Sequence, residues 1–513
     1  MKKLTRIVAT LILFIGILGM SRVDVSADGT LAGKTGIFAY IPVSDSMNQN
    51  IHIVQAAGRE NLFLPSSVSL SSVYFHYEAS DMTLTMVNGT KEAPLPSDTP
   101  VNISKFLAKD TGDGSQILNV HVTDAAGNVS SYDLYVMKSA NIASMFISSA
   151  DKSKDRTYVD ASKSNKAKGS MVMLGSKGNL IYAGGMSQIK GRGNTSFSAD
   201  KKPYQIKLDS KVDLIQTGNS ANAHKTWILL ANAYDPTLIH NTVGYKMSQN
   251  MGLVAPDCRP IDLYYDGMYR GNYLLSEKVE KGSGRVDIAD GFILEQDNHY
   301  YQSEDNYFVT SIGIPFVVKY PEKCSKEDLN YISNYVEEMI QAAAAGGVNP
   351  TTQKSVWDYI DKQSLVRYFT LQEIVKNADA YASSTYYYMD KSGAPMVAGP
   401  VWDLDDSYGI RDDKASTEGF TSGGGYIELF MNLPDFKSAV KSYYNSTGYS
   451  KATNAGIDKA VSEISASQKM NRVLWEGSKQ MFTKYGSYQE DISHMKAFAS
   501  GRAKWLKGVF TTW

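Results

Sequence analysis

Cysteine and net charge are both scarce in this chain. Its 513 residues include only two cysteines, Cys258 and Cys324, and carry a formal net charge of −1. The sequence has no Cys/His spacing that suggests a zinc site. The balanced charge gives no reason to expect a nucleic-acid or anionic-surface partner. The two thiols are far apart in sequence, so a disulfide and two free cysteines both stay open as alternatives.

Long apolar runs are also missing after the N-terminus. A basic start precedes the apolar stretch 7–20, and a small-residue cleavage site ends at Ala27. The stretch is shorter than the roughly 20 residues that span a bilayer. We therefore predict that residues 1–27 are a secretory signal peptide, with an uncleaved anchor as the alternative. After cleavage we expect a secreted protein with no stable membrane insertion.

Short strands with alternating polarity fill the first part of the chain. Segments such as GIFAYIPV and DMTLTMVNG alternate, and ILNVHV and YDLYVM flank a turn that contains Gly127 and Asn128. No helical period interrupts them, so residues 28–139 are predicted to form an antiparallel β-sandwich. The segment resembles cadherin-like or Ig-like β-sandwich modules, and this resemblance implies a role in spacing or attachment.

The remaining sequence predicts a β-rich lobe followed by an α-rich lobe. Strand patterns such as PYQIKLD and PIDLYYDG occupy about 140–320, together with one helix that is capped at Asp235 and stopped at Gly252. Helical periodicity dominates about 321–513, beginning at Ser325 with a start that is akin to a capping box. The fold class is therefore α+β, and a ligand pocket is expected between the lobes.

Carboxylates are crowded in the stretch GPVWDLDDSYG, which contains Asp403, Asp405 and Asp406. Like charges this close cost free energy unless a cation or a hydrogen-bonding shell offsets their repulsion. Asp379 follows Asn377 in KNADAY, and the residues between Asp379 and Asp403 read as two strands joined by the turn DKSG. Such a hairpin should make these two aspartates neighbours, in an arrangement that suits Mg²⁺.

These residues match the layout of a kinase catalytic loop and metal loop. Asp379 is then the base, Asn377 an amide ligand and Asp403 the metal-binding acid. Asp405 is either a second ligand or a hydrogen-bonding partner, and Asp406 is a cap or a surface acid. The alternative is a capped or Ca²⁺-stabilised turn that carries no chemistry.

Basic residues that could face these acids occur earlier in the chain. In KGRGNTSF, two glycines bracket Arg192 and allow backbone N–H groups to approach an anion. Strand alternation in YQIKL turns Lys207 away from the core, where it could reach phosphates or simply face solvent. Glu277 ends an apolar strand and either pairs with Lys207 or is a structural acid.

Eight ordered segments resemble the CotH spore-coat kinase family of secreted, atypical protein kinases. They cover roughly 143–409 and read IKGRGNTSF, KKPYQIKLD, WILLANAYDPTLIHN, DGMYRGNYLLSEKVEKG, GFILEQD, VVKYPE, LQEIVKNADAYASSTYYYMD and GPVWDLDDSYG. The resemblance implies a two-lobed, protein-kinase-like fold over 140–513. It also implies binding of ATP with Mg²⁺ or Mn²⁺ and phosphorylation of serine-rich protein segments, its own included, outside the cell or at a cell or spore surface.

By position, the resemblance also assigns roles to individual residues. Asp379 matches the catalytic-loop acid and Asp403 the metal-binding acid. Lys207, or alternatively Lys202, matches the lysine that contacts the phosphates. Trp402 either stacks on adenine or belongs to the core.

Two further positions lie in family motifs, and the usual kinase signatures are missing. Arg192 lies in the glycine turn, and Glu277 lies in the strand-end acidic motif. Leu404 stands where the family often has Phe. The sequence contains neither G-x-G-x-x-G nor H-R-D, so motif search alone would not identify a kinase.

Two other functions fit the same residues. A non-catalytic surface or coat component could keep this fold and use the cleft for assembly or adhesion. A metal-dependent hydrolase of phosphate or sugar esters would also use paired aspartates.

Overall fold

The structure is a computed structural model of the chain. It describes residues 29–78, 81–108, 110–421, 425–447, 449–478, 480 and 483–513. The predicted signal peptide, residues 1–27, lies outside the described residues. None of the helices in the described ranges is long and apolar enough to cross a membrane.

Two β-sheets that share one apolar core form the first part of the chain. The elements are α1 (Leu31–Thr35), β1 (Phe38–Ser44), β2 (Met47–His52), β3 (Val54–Ala56), β4 (Arg59–Leu64), β5 (Tyr74–His76), β6 (Thr83–Asn88), β7 (Lys91–Pro94), β8 (Gln116–Thr123) and β9 (Val129–Lys138). The strand orders are β2-β1-β5 and β3-β4-β9-β8-β6-β7. The predicted hairpin is β8–β9, whose turn is closed by the Asn128 N–H donating to Asp124.

One strand pair in this part departs from the prediction of a purely antiparallel sandwich. Strands β4 and β9 pair in parallel, with Asn61 opposite Tyr135. The two strands are far apart in sequence, so no short hairpin forces them to run in opposite directions. The resemblance to cadherin-like modules stays a prediction.

The next seven strands close into a barrel. The elements are β10 (Ala143–Ser149), α2 (Arg156–Ala161), β11 (Lys166–Leu174), β12 (Leu180–Gly191), α3 (Thr195–Ser198), β13 (Tyr204–Val212), β14 (His224–Leu230), α4 (His240–Asn250), β15 (Cys258–Tyr265) and β16 (Met268–Ser276). The barrel order is β10-β11-β12-β13-β14-β16-β15, closed by the parallel pair β10–β15. In β13, Tyr204, Ile206 and Leu208 are buried and Lys207 is exposed, as the alternation predicted.

Helix α4 begins later than the sequence predicted. Asp235 was expected to cap a helix starting at the next residue, but the helix starts at His240. Leu238 has φ of 64°, a left-handed conformation that cannot continue an α-helix. Asp235 still caps the helix, because its carboxylate accepts the His240 N–H at 2.8 Å.

A five-stranded sheet and seven helices follow the barrel in the described part of the chain. The elements are β17 (Phe292–Gln296), β18 (Tyr307–Val309), β19 (Pro315–Tyr320), α5 (Lys326–Ala344), α6 (Lys362–Val375), β20 (Thr385–Met389), β21 (Val397–Ala398), α7 (Ile427–Met431), α8 (Pro434–Asn445), α9 (Tyr449–Glu463), α10 (Ser467–Leu474) and α11 (Tyr488–Thr511). The sheet order is β18-β19-β17-β20-β21. This lobe shares one core with the barrel, so the fold is mixed α+β as predicted.

The two-sheet part packs directly on the barrel. The Tyr264 hydroxyl donates to the Phe63 carbonyl at 3.0 Å, and the His52 N–H donates to the Gly267 carbonyl at 2.9 Å. Met470 of α10 belongs to the same apolar core as the two sheets. The late helix α10 therefore helps to join the first part of the chain to the barrel.

Both cysteines are free thiols. Cys258 begins β15, and Cys324 lies just before α5; each side chain is partly buried. Burial raises the pKa of the Cys258 thiol to about 12, so it stays protonated at neutral pH. Of the two alternatives left open by the sequence, the structure has the unpaired one.

Candidate active site

The stretch 399–409, here called the acid loop, rests on one side of helix α4. The Leu404 N–H donates to the Asn241 side chain at 2.8 Å, and the Asp403 N–H donates to the Tyr245 hydroxyl at 3.4 Å. His240 Nδ1 lies 2.8 Å from the Asp405 carbonyl oxygen. Because a carbonyl only accepts, that ring nitrogen carries a proton. Three side chains of one helix thus fix the backbone that presents the acids.

Close packing between α4 and the acid loop requires a glycine in the helix. A Cβ at Gly244 would collide with the Leu404 side chain. Asp403 itself has φ of 60°, a left-handed conformation that is uncommon for an aspartate. An uncommon conformation that is held by several hydrogen bonds is typical of functional loops.

The structure brings Asp379 and Asp403 together through Asn377. The Asn377 amide donates to the Asp403 carbonyl at 3.2 Å and accepts the Asp379 N–H at 3.2 Å. Strands β20 and β21 form the hairpin between the two aspartates, with Tyr387 opposite Ala398. The sequence-based expectation that a hairpin makes these acids neighbours is therefore met.

The same contacts define what Asn377 and Asp403 can offer to a metal ion. Both polar groups of the Asn377 side chain bind backbone, so a metal would have to use the second lone pair of its oxygen. The Asp403 carboxylate accepts one hydrogen bond, from the Ser384 hydroxyl at 2.9 Å. Its remaining lone pairs are available to a cation.

Burial and mutual repulsion disturb the acids of this cluster. They raise the pKa of Asp379 to about 6, through burial first and then Asp406 and Asp403. Burial followed by the charges of Asp403 and Asp406 raises the pKa of Asp405 well above its usual range. Arg411 opposes the effect on Asp379 from 3.6 Å. The cluster therefore holds more negative charge than its neighbours neutralise.

Oxygen donors and surplus negative charge fit a hard divalent cation. Within the described residues, however, no group of three or more acidic, histidine or cysteine side chains converges to hold a metal on its own. Magnesium in nucleotide sites commonly binds one or two carboxylates and completes its shell with phosphates and water. Asp403 and Asp405 fit that incomplete set.

The glycine turn of the barrel reaches the acid loop. The Arg192 guanidinium lies over the Trp402 ring at 5.4 Å, and the Tyr245 ring stacks on the same indole with ring centroids 6.0 Å apart. Trp402 is only 6% exposed. These contacts match its alternative role as a core residue rather than adenine stacking, and they place Arg192 beside the acid loop.

The two predicted phosphate-contacting lysines differ in their surroundings. Lys202 donates to the Phe197 carbonyl at 2.8 Å and lies over that ring, so it closes the glycine turn. Lys207 is exposed on the outer face of the barrel. Of the two, only the Lys207 side chain is exposed, and no contact within the described residues joins it to the acid loop.

Lys190 is a functional candidate that sequence reasoning missed. It lies two residues before Arg192 and is partly buried on β12, and its side chain makes no hydrogen bond or ion pair within the described residues. Its pKa is lowered by burial and by the neighbouring cations Lys166, Lys278 and Arg192. Lys278 is paired with Glu280 at 2.9 Å, whereas no ion pair joins Lys190 or Arg192 to an acid in the described residues, so these two cations could bind phosphate. The signal was present in KGRGNTSF, where only the arginine was given a role.

Glu277 is buried at the end of β16 and does not pair with Lys207. Its carboxylate accepts the Asp257 N–H at 2.9 Å, and the other oxygen has no partner among the described residues. Burial raises its pKa to about 7. It lines a cavity of about 120 Å³ that also touches Pro400 of the acid loop. Of the two roles predicted for Glu277, these contacts agree with that of a structural acid.

A buried clamp, which the sequence did not predict, holds the segment after the acid loop. Lys376 donates to the carbonyls of Ser416 and Glu418 at 2.6 Å. Arg502 donates to the Thr417 carbonyl at 3.0 Å and to the carboxylate of Glu373 at 2.5 Å. Lys376, which follows the last residue of α6, and Arg502 of α11 thus fix one short segment.

Thr421 connects this clamp to the acids. Its N–H donates to the Glu373 carboxylate at 3.0 Å, and its hydroxyl donates to the Asn377 carbonyl at 2.6 Å. Asn377 in turn binds the backbone of both aspartates. The chain of contacts runs from a C-terminal helix to the centre of the site.

Comparison with known proteins gives a family match over more than half of the chain. A family model described as CotH kinase protein matches residues 189–506. The crystal structure of a proinflammatory kinase, CtkA, from Helicobacter pylori aligns with 60% of this chain and 94% of its own, at 8% identity and a TM-score of 0.24. A likeness this weak carries no argument about fold or function. No curated protein matches the chain.

Proposed function

Because the chain belongs to the CotH kinase family, we propose that it transfers the γ-phosphoryl group of ATP to a serine hydroxyl of a protein. One observation carries the proposal. The Asn377 amide joins the backbones of Asp379 and Asp403, and the glycine-turn cation Arg192 lies beside the same loop. Phosphoryl transfer needs an acid beside the nucleophile, an acid for a metal and cations for phosphate in one place.

Each residue of the cleft has a role in this proposal. Asp379 orients the serine hydroxyl and accepts its proton, for which a pKa of about 6 is well matched at neutral pH. Lys190, Arg192 and Lys207 bind the phosphates. Asp403, with Asp405 beside it, would hold Mg²⁺ or Mn²⁺. When bound, that ion supplies charge neutralisation at the phosphate oxygens.

The location and the partners belong to the same proposal. The N-terminal sequence supports export, and the family resemblance supports serine-containing proteins of the cell or spore surface as substrates. ATP is scarce outside cells. The proposal therefore includes transfer of the phosphoryl group before export or from another phosphate donor.

Incubation with γ-labelled ATP and Mg²⁺ or Mn²⁺ tests the proposal. We expect metal-dependent label on the protein itself or on an added serine-rich protein, and loss of that label in Asp403→Ala and Asp379→Asn. The matched control is Asp45→Asn, since Asp45 is an exposed aspartate in the β1–β2 turn.

Two outcomes would contradict phosphoryl transfer to protein. Release of phosphate without label on protein would indicate a hydrolase. Binding of nucleotide or a partner with neither label nor phosphate release would indicate a non-catalytic protein.

A further inference from the structure

A groove of about 350 Å³ lies between the two-sheet part and the barrel, and it shares no residue with the candidate active site. Tyr40 of β1 and Tyr74 of β5 line it from the three-stranded sheet. Ser67 contributes from the segment between β4 and β5, and Leu180 from the start of β12. The barrel and the first part of the chain therefore build the groove jointly.

Strand register places aromatic rings on the outer face of this sheet. Tyr40 lies opposite Tyr74 on one side and Asn50 on the other, while the alternate residues Ala39 and Phe75 are buried in the core. The two tyrosine rings are 5.3 Å apart. The solvent side of a sheet normally carries polar residues, so adjacent rings there mark a recognition surface.

Hydrogen bonds order the edge of this surface before any ligand binds. The Asp98 carboxylate, whose charge acts on Tyr40, binds His76 Nδ1 and the Ser97 hydroxyl, each at 3.0 Å. A surface that is already ordered loses little conformational freedom on binding.

The residues that line the groove restrict the chemical class of ligand that it can bind. No charged side chain lines the groove, in contrast to the acids and cations of the cleft. An ionic ligand would find no counter-charge there. The exposed serines Ser69 and Ser72 also line the groove, so hydroxyl groups are present there to bind a polar group. The matching ligand is uncharged, with apolar C–H faces and hydroxyl groups.

We propose that this groove binds an uncharged polysaccharide. A pyranose ring has one face of C–H groups, which packs on aromatic rings such as Tyr40 and Tyr74. Its hydroxyl groups would meet the exposed side chains of Ser69 and Ser72. The groove would hold the kinase domain at a glycan surface, a role that does not depend on whether the cleft transfers phosphate.

Native electrophoresis of the full chain through gels that contain hydroxyethylcellulose, laminarin or galactomannan tests this proposal. We expect retardation by at least one of these neutral polysaccharides. Tyr40→Ala and Tyr74→Ala should each weaken binding about tenfold, the loss of one stacked ring. Tyr331→Ala, an exposed tyrosine on α5, should leave binding unchanged.

A further variant avoids any effect of the tyrosine changes on folding. Leu180 is 55% exposed, so Leu180→Glu places a charge at the groove without disturbing a core. We expect it to weaken binding while the melting temperature and labelling by ATP stay as in wild type. Tyr40→Phe, which keeps the ring, should bind nearly as well as wild type.

Three results would overturn the proposal. The first is no retardation of wild type by any of the three polysaccharides. The second is retardation that the tyrosine variants and Leu180→Glu do not reduce, since binding then lies elsewhere. The third is self-association in sedimentation experiments without polysaccharide that Tyr40→Ala abolishes, because the groove would then join two copies of the chain.

Discussion

The candidate active site has two sides, here called the acid wall (Asp379, Asp403 and Asp405) and the barrel wall (Lys190 and Arg192), and they carry opposite electrostatic imbalances. On the acid side, burial and mutual repulsion raise the pKa values of Asp379 and Asp405. On the barrel side, burial and neighbouring cations lower the pKa of Lys190, and Arg192 has a ring rather than a carboxylate as its contact. A ligand that carries both phosphate and a metal ion would reduce both repulsions, because the metal ion would neutralise the carboxylates and the phosphate would neutralise the cations.

The walls also differ in how they are built. Hydrogen bonds from α4 and Asn377 fix the backbone of the acid side. The barrel side presents long side chains from a strand and a glycine turn. Rigid groups aimed at the reacting atoms contribute mainly to the rate, whereas flexible cations contribute mainly to binding. We therefore expect substitutions on the acid side to lower kcat and substitutions on the barrel side to raise KM.

The largest effect is expected from Asp379→Asn. The amide cannot accept the proton of the substrate hydroxyl, so kcat should fall about 10²- to 10⁴-fold while KM for ATP changes little. Steady-state kinetics with ATP and a serine-containing protein would measure both constants, with Asp45→Asn as the control. A rise in KM at unchanged kcat would show that Asp379 contributes to binding. The acid wall and the barrel wall would then not differ in their effects on kcat and KM.

On the barrel side, Arg192→Ala should raise KM for ATP. A hydrogen bond to a charged group contributes about 1.5–3 kcal/mol, which corresponds to roughly 10- to 150-fold. Lys190→Ala should act in the same direction, and Lys168→Ala, an exposed lysine on β11, should have no effect. Equal losses of kcat in the arginine variant and in Asp379→Asn would contradict the expectation that the acid wall determines kcat and the barrel wall determines KM.

Much of the site could be predicted because it follows from local patterns. Alternation along β13 identified Lys207 as outward-facing, and the turn DKSG identified the hairpin that brings Asp379 to Asp403. Period-two patterning and turn residues act over a few positions, so one sequence is enough to read them.

The support of the site could not be predicted, because it joins residues that are far apart in the chain. Asn241 and Leu404 are 163 positions apart, and Arg502 and Glu373 are 129 apart. No local pattern encodes such contacts. The predicted start of α4 was wrong for a related reason, since the turn at Leu238 depends on Asp235 accepting the N–H groups of Thr237 and His240 at once.

A substitution at Thr421 tests whether contacts from distant parts of the chain hold Asn377 and the two aspartates in a catalytically competent position. Thr421→Val keeps the shape but leaves the Asn377 carbonyl without its 2.6 Å hydrogen bond, and a buried unpaired group costs about 1–3 kcal/mol. If about half of that cost is felt in the transition state, kcat should fall several-fold at unchanged KM for ATP. Thr421→Ser restores the hydroxyl and should restore kcat. A serine variant as slow as the valine variant would show that the hydroxyl does not act through Asn377.

The smallest effect concerns Arg411, a cation on the acid wall close to Asp379. Its guanidinium lies 3.6 Å from the Asp379 carboxylate and counteracts the rise of the pKa of that acid to about 6. The ionised form is the base, so kcat/KM should fall as pH drops through about 6. Arg411→Gln removes the opposing charge and raises the pKa of Asp379 further. The acidic limb of the kcat/KM–pH profile should therefore move to higher pH. We expect a shift of less than about one unit, because the arginine is partly exposed and its charge is screened. Arg411→Lys keeps the charge and should leave the limb close to its wild-type position. A limb that moves to lower pH in the glutamine variant would mean that Asp379 is not the titrating group, and the acid wall would then lose its assigned base.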